Sequence, residues 1–277
     1  TYQQFGALCS CDLAHKTGNV MSRAKLICGS LLASALLGGC NGTVVTPETP
    51  IQDQQVNRVS ALNTELGIGY MREGNNQLAY KKLKKALDAQ PDYSGALNGM
   101  ALLYERLGKP GLAESHFERA VGSNSLDSAA YNNYGGFLCR QGRVEKAMKQ
   151  FKGALKNPLN KAPEAALTNA GLCLMKNGRP DEAEKFFREG LVRNPRLPSA
   201  LVPMIELSAT KGRDLAARGY LQRYLEVGKH TSKTLWLGVM IERELGDRNA
   251  ASSYEMLLKA NYPDAPETRT LLESEPK

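Results

Sequence analysis

From Ser60 onward, apolar residues recur three and four positions apart in short runs, and glycine or proline closes each run. That spacing puts the apolar side chains on one face of a helix, so the runs predict pairs of short amphipathic helices. The pairs repeat. Six times a glycine is followed five residues later by an alanine: Gly74/Ala79, Gly108/Ala113, Gly142/Ala147, Gly178/Ala183, Gly212/Ala217 and Gly246/Ala251. Successive pairs lie 34, 34, 36, 34 and 34 residues apart. A period of about 34 belongs to a helix-turn-helix solenoid, in which no unit buries its own apolar face and stability comes from stacking neighbours.

With Ser60 as the first position, the units are 60–93, 94–127, 128–161, 164–197, 198–231 and 232–265. Position 20 is alanine in all six, and position 24 reads Leu83, Phe117, Phe151, Phe187, Leu221 and Glu255. Positions 20, 24 and 27 share one face of the second helix, where a small alanine permits close approach and a large residue fills the space behind. Position 8 of the first helix is equally small in the first four units (Gly67, Ala101, Gly135, Gly171), as a close crossing requires. The glycine at position 15 ends the first helix by taking a left-handed conformation. Pro91, Pro195 and Pro263 at position 32 stop the second. Three departures carry expectations of their own. Glu242 and Glu255 replace apolar residues in the last unit, as a solvent-facing cap would, and Pro266 to Glu273 in the tail 266–277 predicts a short closing helix. Pro203 predicts a late start or a kink in the first helix of unit five. Two extra residues near Ala162-Pro163 belong in a loop.

These columns resemble the tetratricopeptide repeat over about three quarters of the chain. The resemblance implies an all-α, right-handed superhelical solenoid of six repeats whose first helices line a concave groove. In such units positions 2, 5, 9 and 12 face the groove. They include Thr64, Ile68, Met71, Asn98, Leu102, Glu105, Asn132, Gly136, Cys139, Thr168, Leu172 and Met175. Small residues alternating with Ile, Leu and Met suit an apolar helix or an extended peptide. Asn98, Asn132, Asn133 and Asn169 recur on first helices, either to bind a peptide backbone or to bond within the scaffold. Repeat modules that grip a C-terminal carboxylate carry Lys and Asn at positions 5 and 9 of their first unit. Thr64 and Ile68 stand there, which disfavours a chaperone-tail receptor.

The N-terminus is a different kind of text. Residues 1–20 precede Met21 and read as an over-extended start without function. Arg23 and Lys25 form a positive beginning, Leu26 to Leu37 is apolar and too short to span a bilayer, and Leu37-Gly38-Gly39-Cys40 follows. Residues 21–39 therefore read as a signal peptide. The last four residues resemble a bacterial lipoprotein cleavage box, which implies cleavage before Cys40, a diacylglycerol on its thiol and attached fatty acid such as palmitate. Asn41 rather than aspartate implies, by analogy with enterobacterial lipoproteins, the periplasmic face of the outer membrane. Residues 40–59 read as the lipidated cysteine and a polar, proline-containing tether that would hold the solenoid roughly 20 Å from the bilayer.

The chain has 277 residues, 42% of them apolar, and a formal charge of +8. Losing Lys16, Arg23, Lys25 and Asp12 with residues 1–39 leaves +6, and no zinc spacing or basic-aromatic interleaving accompanies it, so nucleic acid is not an expected partner. Lys81, Lys82, Lys84 and Lys85 read as a solvated outer face, with contact to anionic lipid or an acidic partner as the alternative. Cys139 and Cys173 sit at positions 12 and 10 of adjacent first helices and read as small semi-buried residues in preference to a bridge, which needs Cα atoms within about 7 Å. Neither His116 nor His230 stands in a metal-ligand spacing, and no nucleophile motif or phosphate loop is present. No enzymatic activity, cofactor, metal or small-molecule substrate is expected.

Asn132-Asn133-Tyr134-Gly135-Gly136-Phe137-Leu138, six repeats behind a lipid cysteine, and the ending from Asp247 to Tyr254 with Leu257-Leu258-Lys259 and Tyr262-Pro263 resemble the PilF/PilW pilotin family of type IV pilus biogenesis lipoproteins. That resemblance implies a role in twitching motility: binding secretin subunits and promoting their targeting to, and multimerisation in, the outer membrane. The alternatives are a general periplasmic lipoprotein scaffold for envelope or peptidoglycan-synthesis complexes, and an enzyme accessory factor.

Overall fold

Residues 50–274 are described by the computed structural model, and every regular element among them is an α-helix. The helices pair in chain order. They are α1 (Pro50–Arg72) with α2 (Asn76–Ala89), α3 (Ser94–Arg106) with α4 (Pro110–Ser123), and α5 (Ser128–Arg140) with α6 (Val144–Ala154). There follow α7 (Pro163–Lys176) with α8 (Pro180–Arg193), α9 (Pro198–Thr210) with α10 (Asp214–Leu225), and α11 (Ser232–Glu244) with α12 (Arg248–Asn261). The expected closing helix is α13 (Pro266–Glu273), packed on α11 and α12. Each hairpin packs internally, and each first helix also packs on the next first helix, which is the stacking a solenoid requires.

The column residues do what their chemistry predicts. The glycine at position 15 has φ between +63° and +81° in all six units, the region open to glycine without strain. The alanines at position 20 are buried, and Phe117, Phe151 and Phe187 at position 24 are sealed in the core. The reason for glycine at position 8 is steric. A Cβ on Gly135 would stand 2.8 Å from the Phe151 ring, and one on Gly171 would stand 2.6 Å from Phe187. Asn75, Asp127 and Asp247 cap α2, α5 and α12 by accepting from the N–H three residues on, and Thr231 with Thr234 forms a capping box on α11. The lysine cluster lies on α2 with Lys81, Lys84 and Lys85 exposed, and Lys84 pairs with Asp88 at 2.9 Å.

Several expectations need correction. Pro203 neither delays nor interrupts α9, which begins at Pro198 and runs unbroken to Thr210. Proline at the sixth residue removes one backbone bond, the one to the Ser199 carbonyl, and so is tolerated close to the helix start. Helix α1 begins at Pro50, so residues 50–59 are helical and not part of a flexible tether. The additional residues fall in a loop, 155–162, gained partly by ending α6 early at Ala154. Ser60 and Ser94 donate from their hydroxyls to the carbonyls of Ala86 and Ala120, closing the first two hairpins. In unit three the matching Ala154 carbonyl accepts from Asn160 Nδ2 of that loop, and Ser128 Oγ is left buried without a partner.

Glu242 is no solvent-facing cap. It is 4% exposed and its carboxylate holds the Arg218 guanidinium, because the stack continues beyond it into α12 and α13. This pair belongs to a series of charged contacts between units. Arg143, Arg179 and Arg213, each following a turn glycine, reach back to Glu114, Glu145 and Glu184 of the preceding second helix. Glu184 also meets Lys211 at 2.7 Å. Hydrogen bonding from Arg213, opposed by burial and reinforced by Lys211, lowers its carboxyl pKa to about 2. At the last junction the polarity is reversed, with Arg218 on the second helix and Asp247 after the glycine.

Candidate functional site

The first helices of units two to four bring several groove-facing residues to one opening. A cavity of about 340 Å³ opens there, lined by Leu102, Asn132, Asn133, Gly136, Cys139, Arg140, Asn169, Leu172, Cys173 and Lys176. Its floor is a set of amide rungs. Asn133 Nδ2 donates to Asn98 Oδ1 at 3.1 Å, and Asn169 Nδ2 donates to Asn132 Oδ1 at 3.0 Å. Of the two readings open for these asparagines, bonding within the scaffold accounts for both rungs. Asn132 accepts in its rung, so its own amide protons and the Asn169 carbonyl oxygen remain for a ligand backbone.

Cys139 and Cys173 form a disulfide with Cα atoms 5.9 Å apart, which overturns their reading as separately packed small residues. The cause is the stagger of neighbouring first helices. Position 12 of one unit meets position 13 of the next, as in Met71 with Arg106 and Glu105 with Arg140. Position 10 lies three residues before position 13 on the same helix face, so Cys173 is presented to Cys139 as well. The covalent bond therefore ties α5 to α7 on the groove wall.

Of the predicted groove residues, Leu102, Asn132, Gly136 and Leu172 line the cavity. Glu105 stands at its rim, held in a two-bond pair by Arg140 Nε and Nη2 at 2.7 and 2.9 Å. Asn98 is 7% exposed and supports the floor from beneath. Thr64 and Thr168 are buried, and this corrects their assignment to the binding surface. Thr64 Oγ1 donates to the Ser60 carbonyl of its own helix, while Thr168 Oγ1 has no partner. Ile68 and Met71 belong to unit one and stand outside this cavity, Met71 packed against the Leu83 cluster. Arg140 and Lys176 were not anticipated. Their signal is a column at position 13, which reads Arg72, Arg106, Arg140 and Lys176 in the first four units. These cations sit in the last turns of first helices, where the helix dipole favours them, and they give the groove a basic rim.

Farther along the same wall, Leu172, Met175, Val202, Pro203 and Tyr224 line a second, more apolar opening of about 530 Å³. Leu172, 43% exposed, divides the two and contributes to both. His116 packs on the Tyr104 ring, and His230 packs edge-on against Tyr254 with its pKa lowered by burial. Among the described residues no group of His, Cys, Asp or Glu stands ready to hold a metal ion. The arrangement is chemically suited to holding an extended segment, with amide groups for its backbone, leucines for its side chains and Lys176, which makes no ion pair among the described residues, for an acidic group.

Comparison with known proteins agrees with this geometry. Residues 98–160 and 166–199 match the tetratricopeptide repeat family. The type IV pilus assembly protein PilF of Pseudomonas aeruginosa is 31% identical over 199 residues, covering 72% of this chain and 79% of that protein. The solved structure of Pseudomonas aeruginosa PilF superposes with a TM-score of 0.72 at 28% identity, over 80% of this chain and all of that one. The structure of PilW, described as a widely conserved type IV pilus biogenesis factor, gives 0.66 at 31% identity, over 77% of this chain and 98% of that one.

Proposed function

This chain belongs to the PilF/PilW family of type IV pilus tetratricopeptide-repeat proteins, and from that premise we propose that it is a non-enzymatic outer-membrane lipoprotein that captures secretin subunits in its concave groove. Capture would bring the subunits to the outer membrane and favour their multimerisation. The observation that carries the reading is the cavity of units two to four, where amide rungs, exposed Leu172 and the Arg140–Lys176 rim converge on one open surface. The Cys139–Cys173 bridge supports an extracytoplasmic site of action, since such bonds persist in oxidising compartments and are rare in the cytosol. Cys40 lies outside the described residues, and the lipid anchor rests on the sequence around it.

Leu172→Asp is expected to weaken capture of purified secretin subunits by about tenfold or more, because it puts a charge at the centre of an apolar contact. Leu172 is 43% exposed and sits outside the sealed core, so the helical content and unfolding midpoint should hold. Unimpaired binding by a folded Leu172→Asp protein would move the site elsewhere. A deletion strain with normal heat-resistant secretin multimers and normal twitching would instead favour the general envelope scaffold. The anchor is tested separately: radiolabelled palmitate should enter the wild-type protein and not Cys40→Ala, and equal labelling of the two sinks it.

A further inference from the structure

The only departure from the 34-residue spacing is the lengthened loop of unit three, and nothing in the groove explains it. Its backbone is pinned by its own asparagines. Asn157 Oδ1 accepts from the Leu159 N–H at 2.9 Å, and Asn160 Oδ1 accepts from the Ala162 N–H at 3.1 Å. Asn157 Nδ2 reaches across to the Leu126 carbonyl at 2.9 Å, tying this loop to the one after α4. The result is a held surface that presents Leu159 83% exposed beside Leu126 at 53%. Lys152 approaches it from the last turn of α6, and Lys156 and Lys161 sit within it. All three are exposed and make no ion pair with the other described residues. Lys146 and Lys149 continue the exposed cationic stripe along α6. Glu118 faces the same opening as Lys149 and Lys156 without pairing to either, so the stripe stays self-repulsive, and leucines presented to water gain nothing there. Both features are relieved by the same surface, one that is anionic at its face and apolar beneath.

We propose that this edge, the loops after α4 and α6 with the α6 lysines, docks on an anionic phospholipid surface, the leucines entering the headgroup boundary and the lysines meeting lipid phosphates. The connectivity points the edge that way. The first helices run away from the edge where these loops lie, and α1, which starts at Pro50 before the unit's first position at Ser60, projects its N-terminal turns past that edge. The direction in which this edge faces the bilayer, though not the binding itself, rests on the lipoprotein reading above. Docking would fix the direction in which the groove faces and would supplement a single attachment point.

The test uses the purified full chain carrying Cys40→Ala, so that no acyl chain contributes, and vesicles of phosphatidylcholine with or without phosphatidylglycerol. Flotation should show binding to the phosphatidylglycerol vesicles alone, weakening as salt rises. Reversing Lys152, Lys156 and Lys161 to glutamate should lower that binding by about tenfold or more. Leu159→Ser, which leaves the charge unchanged, should lower it by about threefold or more. Because all four side chains are exposed, circular dichroism should not change. Equal binding to both vesicle types, or full binding by the lysine variant, overturns the proposal. If the wild type ignores vesicles while the lysine variant loses pili in cells, the bilayer is replaced by an acidic protein. Palmitate labelling at Cys40 is independent of every one of these outcomes.

Discussion

Phe187→Ala is expected to lower the free energy of unfolding by about 3–5 kcal/mol, the range for truncating a sealed phenylalanine. The Phe187 ring is fully buried and lies directly on Gly171, whose missing Cβ leaves the space it fills. With no side chain on Gly171, nothing opposite can swing in to close the hole, so little of the cavity would be recovered by relaxation. Phe187 belongs to the cluster that runs from Ala101 to Ile241, so the loss falls on the coupling between units as well as on unit four. Phe187→Leu is the control, because Leu83 and Leu221 occupy the same column in units one and five; it should cost only about 1.5 kcal/mol or less. Denaturant midpoints and slopes measure both. A loss below about 1 kcal/mol for the alanine variant would show that the ring is not the spacer between α7 and α8 that the geometry describes.

The second large effect is expected from the disulfide. Cys139 and Cys173 are 34 residues apart, and closing a loop of that length removes unfolded-state entropy worth about 3–4 kcal/mol. Cys139→Ala with Cys173→Ala should therefore lower stability by about 2–4 kcal/mol, and reduction of the wild type by a dithiol should lower it by a similar amount. Alanine is chosen because Cys173 is 3% exposed and a serine hydroxyl there would be buried without a partner. If the proposed capture of secretin subunits holds, the double variant should also bind them more weakly, since the bridge holds α5 and α7 in register at the cavity wall. Thiol titration of the unfolded, unreduced protein should detect no free sulfhydryl from these two residues. Two free thiols, or a denaturation curve insensitive to the reductant, would show that the bridge does not form in the folded protein.

The glycine at position 15, the alanine at position 20 and the aromatic at position 24 were legible in the sequence because each acts within one hairpin. The helix period, the left-handed turn and the close crossing are short-range consequences of residue size and backbone freedom. The closing helix from Pro266 to Glu273 was legible for the same reason, through a proline start and an apolar face. The candidate site was legible only as a set of columns. Leu102, Asn132, Gly136 and Leu172 line the cavity as the columns placed them, whereas Thr64 and Thr168 turn inward and Arg140 and Lys176 come to the rim.

By itself, then, the sequence determined a stack of six helical hairpins, the face each helix buries and a groove on the first helices, together with a resemblance that identified the family. Only the tertiary structure decided that Cys139 bonds Cys173, that Asn132 and Asn133 spend part of their hydrogen bonding on neighbouring units, that Glu242 is buried against Arg218, and that the unit-three loop holds Leu159 outward. The division has one physical cause. A repeat period encodes contacts inside a unit, but the stagger of one unit on the next arises from packing many side chains at once. Shifting that stagger by a single position exchanges which residues meet.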